Sequence, residues 1–125
     1  MFVRLMLIAC GGAAGTLARY GTGALLMRWS ERTLFPWGTA AVNLLGCFLI
    51  GIAQGVFFER WNVREEWRLA IIAGFLGGYT TFSAYAGESA AMLREGQYMR
   101  AGWLLAINNL GGIALALAGY AIGRR

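Results

Sequence analysis

Histidine, lysine and aspartate are absent from this 125-residue chain, and proline occurs once, at Pro36. Without histidine there is no imidazole for acid–base or metal work and no Ser-His-Asp triad; without lysine there is no Schiff base. Hydrolytic or metal-dependent catalysis is therefore not expected, and the chain reads as a non-enzyme. Charge is scarce as well, at 14% of residues against about 25% in a soluble domain. The net charge of +5 comes from eleven arginines set against six glutamates. Cysteine appears only as Cys10 and Cys47, both inside apolar segments with neither CxxC spacing nor a histidine partner. They read as small packing residues, with no sign of a disulfide.

What is abundant is apolar surface: 58% of residues are hydrophobic and the mean hydropathy is +0.55. Four stretches reach the roughly 20 apolar residues that a membrane helix needs, namely Leu5–Met27, Trp37–Phe58, Leu69–Leu93 and Ala101–Ile122. The expected fold is an all-α integral membrane protein, multi-pass, with a single membrane domain over residues 1–125. Short polar loops separate the spans, and Pro36 sits just before the second helix, where its missing N–H costs little. Arg4 ahead of an apolar run resembles the start of a signal peptide, but the run continues past Arg19 to Met27 without a small-residue cleavage site. Aromatic residues flank each loop: Trp29 and Trp37, Trp61 and Trp67, Tyr98 and Trp103. That is the belt expected at bilayer interfaces.

Arginines beside the spans orient a membrane protein. One side carries Arg4, Arg60, Arg64, Arg68, Arg124 and Arg125; the other carries Arg28, Arg32, Arg94 and Arg100. Glu59, Glu65 and Glu66 reduce the first side to +3, and Glu31 and Glu95 reduce the second to +2. So small a bias predicts insertion both ways round. Four helices do not easily enclose a pathway, so the expected assembly is a dual-topology antiparallel homodimer with its two-fold axis in the membrane plane.

Glycines recur one turn apart at Gly11 and Gly15, Gly51 and Gly55, Gly74 and Gly78, and Gly119 and Gly123. Such faces let membrane helices approach closely, leaving room only for a small solute. The third span interrupts itself near its middle, where Gly77, Gly78, Thr80 and Thr81 are poor helix formers and the break is expected over Gly77–Thr80. Backbone groups freed inside hydrocarbon must find partners, so a break survives only where it is buried, binds an ion or lines a watery cavity. Two such breaks facing each other across a two-fold axis would make an oxygen-rich site suited to a hard cation, structural or transport-related.

Polar residues at depth surround this segment. Thr39 and Asn43 share a face of the second helix, Thr81 and Ser83 sit beside the break, and Asn108 and Asn109 lie in the fourth span. Each is either interhelical glue or part of a polar track. Phe82 and Tyr85, three residues apart, share a helix face; their positive ring edges suit a small anion, and ordinary aromatic packing is the other reading. Arg19 and Glu88 are the only formal charges well inside spans, either an ion pair or a charged vestibule.

Three stretches together resemble the small bacterial fluoride channels of the Fluc or CrcB family. They are residues 11–20 (GGAAGTLARY), residues 38–46 (GTAAVNLLG) and residues 74–85 (GFLGGYTTFSAY). Length and four-span layout agree, so the resemblance covers essentially the whole chain. It implies a passive, selective fluoride channel exporting cytoplasmic fluoride across the bacterial inner membrane, as a dual-topology homodimer with two pores. It also implies a central structural sodium ion held by the backbone carbonyls of Gly77 and Thr80. The family's phenylalanine pair falls on Phe82 and Tyr85, its pore asparagine on Asn43, its polar track on Thr39 and Ser83, and its in-span charges on Arg19 and Glu88. Asn108 is expected to extend the track into the fourth helix. Tyr85 departs from the family's usual phenylalanine by a hydroxyl, which could donate a hydrogen bond to the anion or alter the packing. A small multidrug-type proton-coupled exporter is the alternative, but it needs a carboxylate in the first helix, where this chain has none.

Overall fold

The structure, a computed structural model, describes all 125 residues. It is entirely helical: α1 (Phe2–Thr33), α2 (Trp37–Arg60), α3 (residues 65–79), α4 (Phe82–Arg94) and α5 (Tyr98–Gly123). α3 and α4 together make the third span, Glu65–Arg94, so there are four spans of membrane-crossing length and hydropathy. Each helix runs beyond its apolar window, α1 from Phe2 to Thr33 rather than Leu5 to Met27. Hydropathy marks the part that avoids water, whereas backbone pairing carries the helix on through Arg28, Glu31 and Arg32.

α1 stops at Leu34, which adopts a left-handed backbone (φ 52°, ψ 37°). The turn into α2 is then fixed by Ser30, whose hydroxyl accepts from the Trp37 backbone N–H at 3.1 Å, and by the Trp37 indole, which donates to Thr33 Oγ1 at 2.9 Å. A left-handed leucine costs about 1–2 kcal/mol, part of which glycine would return as added freedom in the unfolded chain. Leu34→Gly is therefore expected to raise the thermal midpoint in detergent, read by circular dichroism; an unchanged or lower midpoint would contradict this.

The four glycine pairs interlock as two seams. On α1, Gly11 and Gly15 lie against the α3 backbone at Ala70 and Phe75, while a Cβ built on Gly74 would stand 2.8 Å from the Ile8 carbonyl oxygen. On α2, Gly51 lies against Ala116 and Gly55 against Arg124, answered on α5 by Gly119 against Phe48 and Gly123 against Ile52. Backbone therefore packs on backbone along both pairs, α1 with α3 and α2 with α5, as small-residue faces permit.

Only 20 of 125 residues are buried, and large apolar side chains such as Leu25, Leu110 and Leu117 lie exposed on the chain's surface. Arg4 pairs with Glu65 at 3.0 Å, and the Tyr120 hydroxyl donates to Glu59 at 2.8 Å. N-terminus, second loop and C-terminus thus share one side, as four spans require. A buried cluster of Phe35, Ala40, Tyr85, Met92, Ala101 and Leu104 closes the opposite half. Three tracts have wider, i→i+5 turns: Val56–Arg60, Ala70–Leu76 and Ile107–Gly111. Such turns concentrate at functional sites, and here the last two flank the interruption of the third span.

Candidate functional site

The third span unwinds at two threonines rather than at its glycines. Gly77 keeps helical angles (φ −63°, ψ −37°), and Gly77–Tyr79 completes α3. Thr80 (φ −80°, ψ 160°) and Thr81 (φ −149°, ψ 106°) are extended. The unwinding expected over Gly77–Thr80 is thus displaced to Thr80–Thr81. Gly78 is needed as helix, because its bare face meets the Gly12 carbonyl oxygen across the α1 seam. Threonine, β-branched, tolerates the extended backbone.

Asn43 holds this extended residue open. An extended residue presents its N–H and C=O to the same side, and one carboxamide answers both. Asn43 Oδ1 accepts from the Thr81 N–H at 2.8 Å, and Asn43 Nδ2 donates to the Thr81 carbonyl at 3.2 Å. In an unbroken helix that N–H would have closed on the Gly77 carbonyl. Downstream, Thr81 Oγ1 accepts from the Ala84 N–H at 3.2 Å and so caps α4. Upstream, the Thr80 hydroxyl donates to the Leu76 carbonyl at 2.9 Å.

Backbone groups fix the orientation of all three asparagines. The Thr81 N–H requires Oδ1 of Asn43 to face it. The Leu104 carbonyl takes a hydrogen bond from Asn108 Nδ2 at 3.0 Å, which turns Asn108 Oδ1 toward Asn43, whose second N–H it accepts at 2.8 Å. The Leu105 carbonyl likewise binds Asn109 Nδ2 at 2.8 Å, and the same nitrogen donates to the Tyr85 hydroxyl at 2.7 Å. The wide turn at Ile107–Gly111 carries both asparagines, and from it Asn108 reaches α2 while Asn109 reaches α4. Asn43 thus has both N–H groups engaged.

The residues singled out in the sequence line two cavities that meet at Thr81. One, of about 350 Å³, is bordered by Asn43, Asn108, Phe82 and Tyr85 together with the backbone of Gly77 and Thr80. The other, of about 570 Å³, is bordered by Arg19, Thr39, Ser83 and Glu88. Phe82 and Tyr85 meet edge-to-face, with ring centroids 5.6 Å apart at 62°. Tyr85 is buried (7% exposed), whereas Phe82 is 78% exposed on the chain surface. The Ser83 hydroxyl lies 3.5 Å from Thr81 Oγ1.

Arg19 and Glu88 do not pair, although they share the larger cavity. Arg19 Nη1 donates to the Thr80 carbonyl at 3.3 Å, and Glu88 Oε1 accepts from the Thr39 hydroxyl at 2.8 Å. Glu88 Oε2 is buried without a hydrogen-bond partner. A carboxylate oxygen inside a span is costly unless it is partnered. No cluster of His, Cys, Asp or Glu is arranged to hold a metal; any cation here would rest on backbone oxygen. Diverting the Thr81 N–H leaves the Gly77 carbonyl without its helical partner, and the Thr80 carbonyl keeps a second lone pair beside its bond from Arg19. The donor set therefore fits a hard cation, provided more oxygens come from elsewhere.

Two residues named in the sequence only as members of the polar set take particular roles here. Thr81 bridges the cavities and caps α4, which its place beside the break does not announce. Asn109 reaches Tyr85 because of a wide turn that no local propensity announces. Tyr79, buried and hydrogen-bonded through its hydroxyl to Thr22 at 3.1 Å, further ties the end of α3 to α1.

A broken span of this kind, braced by side-chain amides in a chain with four membrane-crossing helices, defines a multi-pass membrane protein with an intramembrane polar site. The sequence profile described as "CrcB-like protein, Camphor Resistance (CrcB)" matches residues 6–120, and the chain belongs to that family. It is 44% identical over 122 residues to the "Fluoride-specific ion channel FluC" of Solibacter usitatus, covering 97% of this chain and 95% of that protein. It is 43% identical over 124 residues to the protein of the same name from Solidesulfovibrio magneticus, covering 99% and 98% respectively. A third, from Rhizobium leguminosarum, is 40% identical over 126 residues, with coverage of 98% and 97%.

Proposed function

We propose that the chain is a passive, fluoride-selective channel of the bacterial inner membrane, working as an antiparallel homodimer with two anion pathways. The observation that carries this reading is the extended Thr81, bracketed by Asn43 and followed at once by the Phe82–Tyr85 edge pair. Near-full-length similarity to proteins named fluoride-specific ion channels supports the choice of ion.

Fluoride is small and holds its water strongly, so a selective path must be narrow and must replace that water with donors. Ring edges of Phe82 and Tyr85 attract the anion without holding it tightly. Asn43 offers an exchangeable N–H: an arriving anion takes the place of Asn108 Oδ1 as acceptor, while the bonds to Thr81 keep the break open. Arg19 draws anions into the larger cavity, where the Ser83 hydroxyl is a further donor. Glu88, steadied by Thr39, shapes access there. Phe82, exposed on a single chain, is covered when a second copy docks against it. A sodium ion at the two-fold axis, held by the Gly77 and Thr80 carbonyls of both copies, would supply fixed positive charge between the subunits.

Outward fluoride movement needs no coupled energy source, because a negative-inside potential drives an anion out. Expressed in a fluoride-sensitive bacterium, the chain is expected to restore growth in fluoride medium, more so at mildly acidic pH, where hydrogen fluoride enters as the neutral acid. Failure to restore growth despite membrane expression would refute the reading. A reporter fused to the C-terminus should give signal from both membrane faces; signal from one face would rule out the dual topology.

A further inference from the structure

The hydroxyl of Tyr85 is already half used, and the direction of that use matters. A phenol oxygen accepts one hydrogen bond comfortably and donates one. Asn109 Nδ2 approaches it at 2.7 Å and also approaches the Leu105 carbonyl at 2.8 Å. A carbonyl only accepts, so the atom between them is the nitrogen, with one N–H for each neighbour. Tyr85 is then the acceptor in its bond to Asn109, and its own O–H proton has no protein partner. The ring is buried, and Tyr85, Asn108 and Asn109 all border the 350 Å³ cavity that contains the aromatic pair.

We propose that the Tyr85 hydroxyl donates a hydrogen bond to the anion in this cavity, and that Asn109 is the positioning residue that leaves its proton free to do so. The inference rests on the channel reading and deepens it. Where two ring edges alone give weak, diffuse attraction, this chain adds a directed O–H to a small hard anion, and charge-assisted bonds of that type are about twice as strong as neutral ones. The polarity is set by the residue beside the hydroxyl: with an acceptor at position 109, the proton would be spent inside the protein.

The test is fluoride efflux from liposomes, measured over a range of fluoride concentrations for the wild type, Tyr85→Phe, Asn109→Leu and the double variant, each checked for dimer elution. Tyr85→Phe is expected to raise the half-saturating fluoride concentration about tenfold, about 1.4 kcal/mol. Asn109→Leu, nearly isosteric and uncharged, is expected to raise it about threefold, because the hydroxyl loses its orienting donor. In the Asn109→Leu background, Tyr85→Phe should then cost less than it does alone, the non-additivity of residues acting through one another. A packing defect would lower maximal flux and dimer yield and leave half-saturation in place, which would overturn the proposal. Unshifted half-saturation in both single variants, with the wild type conducting, overturns this inference alone. A shift in Tyr85→Phe with fully additive behaviour overturns the role of Asn109. Absence of fluoride flux from the wild type would instead overturn the channel reading on which the inference stands.

Discussion

Asn43→Ala is expected to lower fluoride flux at least about a hundredfold, the largest effect of any single polar substitution in the chain. The carboxamide makes three hydrogen bonds: to the Thr81 N–H, to the Thr81 carbonyl and to Asn108 Oδ1. Its removal orphans two backbone groups inside a membrane span, at about 1–3 kcal/mol each. The chain has an escape, because the Thr81 N–H can return to the Gly77 carbonyl and resume the helix. That closure regains one bond but turns α4 about its axis, by roughly 100° for a residue absorbed into the helix, and carries Phe82 and Tyr85 away from Asn108 and Asn109. It also takes back the Gly77 carbonyl, which the proposed central cation would need. Loss of even about 2.7 kcal/mol is a hundredfold. Flux should therefore vanish while helix content stays level or rises slightly. Conduction within a few-fold of wild type would show that Asn43 does not hold the break.

Gly51→Val is expected to prevent the helices of the chain from packing rather than merely slow conduction. A Cβ at position 51 would collide with the Ala116 carbonyl and stand 2.8 Å from the Tyr120 backbone nitrogen. Neither neighbour is a flexible side chain, so α2 and α5 would have to separate along the whole seam that also contains Gly55, Gly119 and Gly123. Overpacking ordinarily costs about 1–3 kcal/mol, sometimes more, and the upper end applies where both surfaces are backbone. Gly102→Ala is the matched control, since nothing lies within 4 Å of the added carbon. Size-exclusion elution in detergent should show aggregated Gly51→Val beside Gly102→Ala eluting as the wild type does. Equal elution of the two would refute the seam.

How far the fold could be read from sequence follows from which forces act locally. Span number, the side assignment of Arg4 and Glu59, and the glycine seams were legible, because hydropathy, charge and four-residue spacing carry them directly. The family was legible too, from GTAAVNLLG and GGYTTFS taken together. The position of the break was only half legible. Helix propensity in water marks Gly77 and Gly78 as the weak point, yet in a bundle their value is close approach to α1, and the unwinding falls on Thr80 and Thr81. What decides it is a partner from another helix, Asn43, at a distance of 38 residues along the chain. The asparagine pair shows the same limit: Asn108 and Asn109 are adjacent, and only the wide turn at Ile107–Gly111 sends one to Asn43 and the other to Tyr85. Arg19 and Glu88 border one cavity, but each has a different partner, Thr80 and Thr39.

Selective, passive fluoride conduction is tested most directly in liposomes loaded with equal fluoride and chloride, with release of each followed by ion-selective electrodes after potassium efflux is opened. Wild-type protein is expected to discharge the fluoride and leave the chloride inside. Equal release of both anions, or release of neither, would contradict the account.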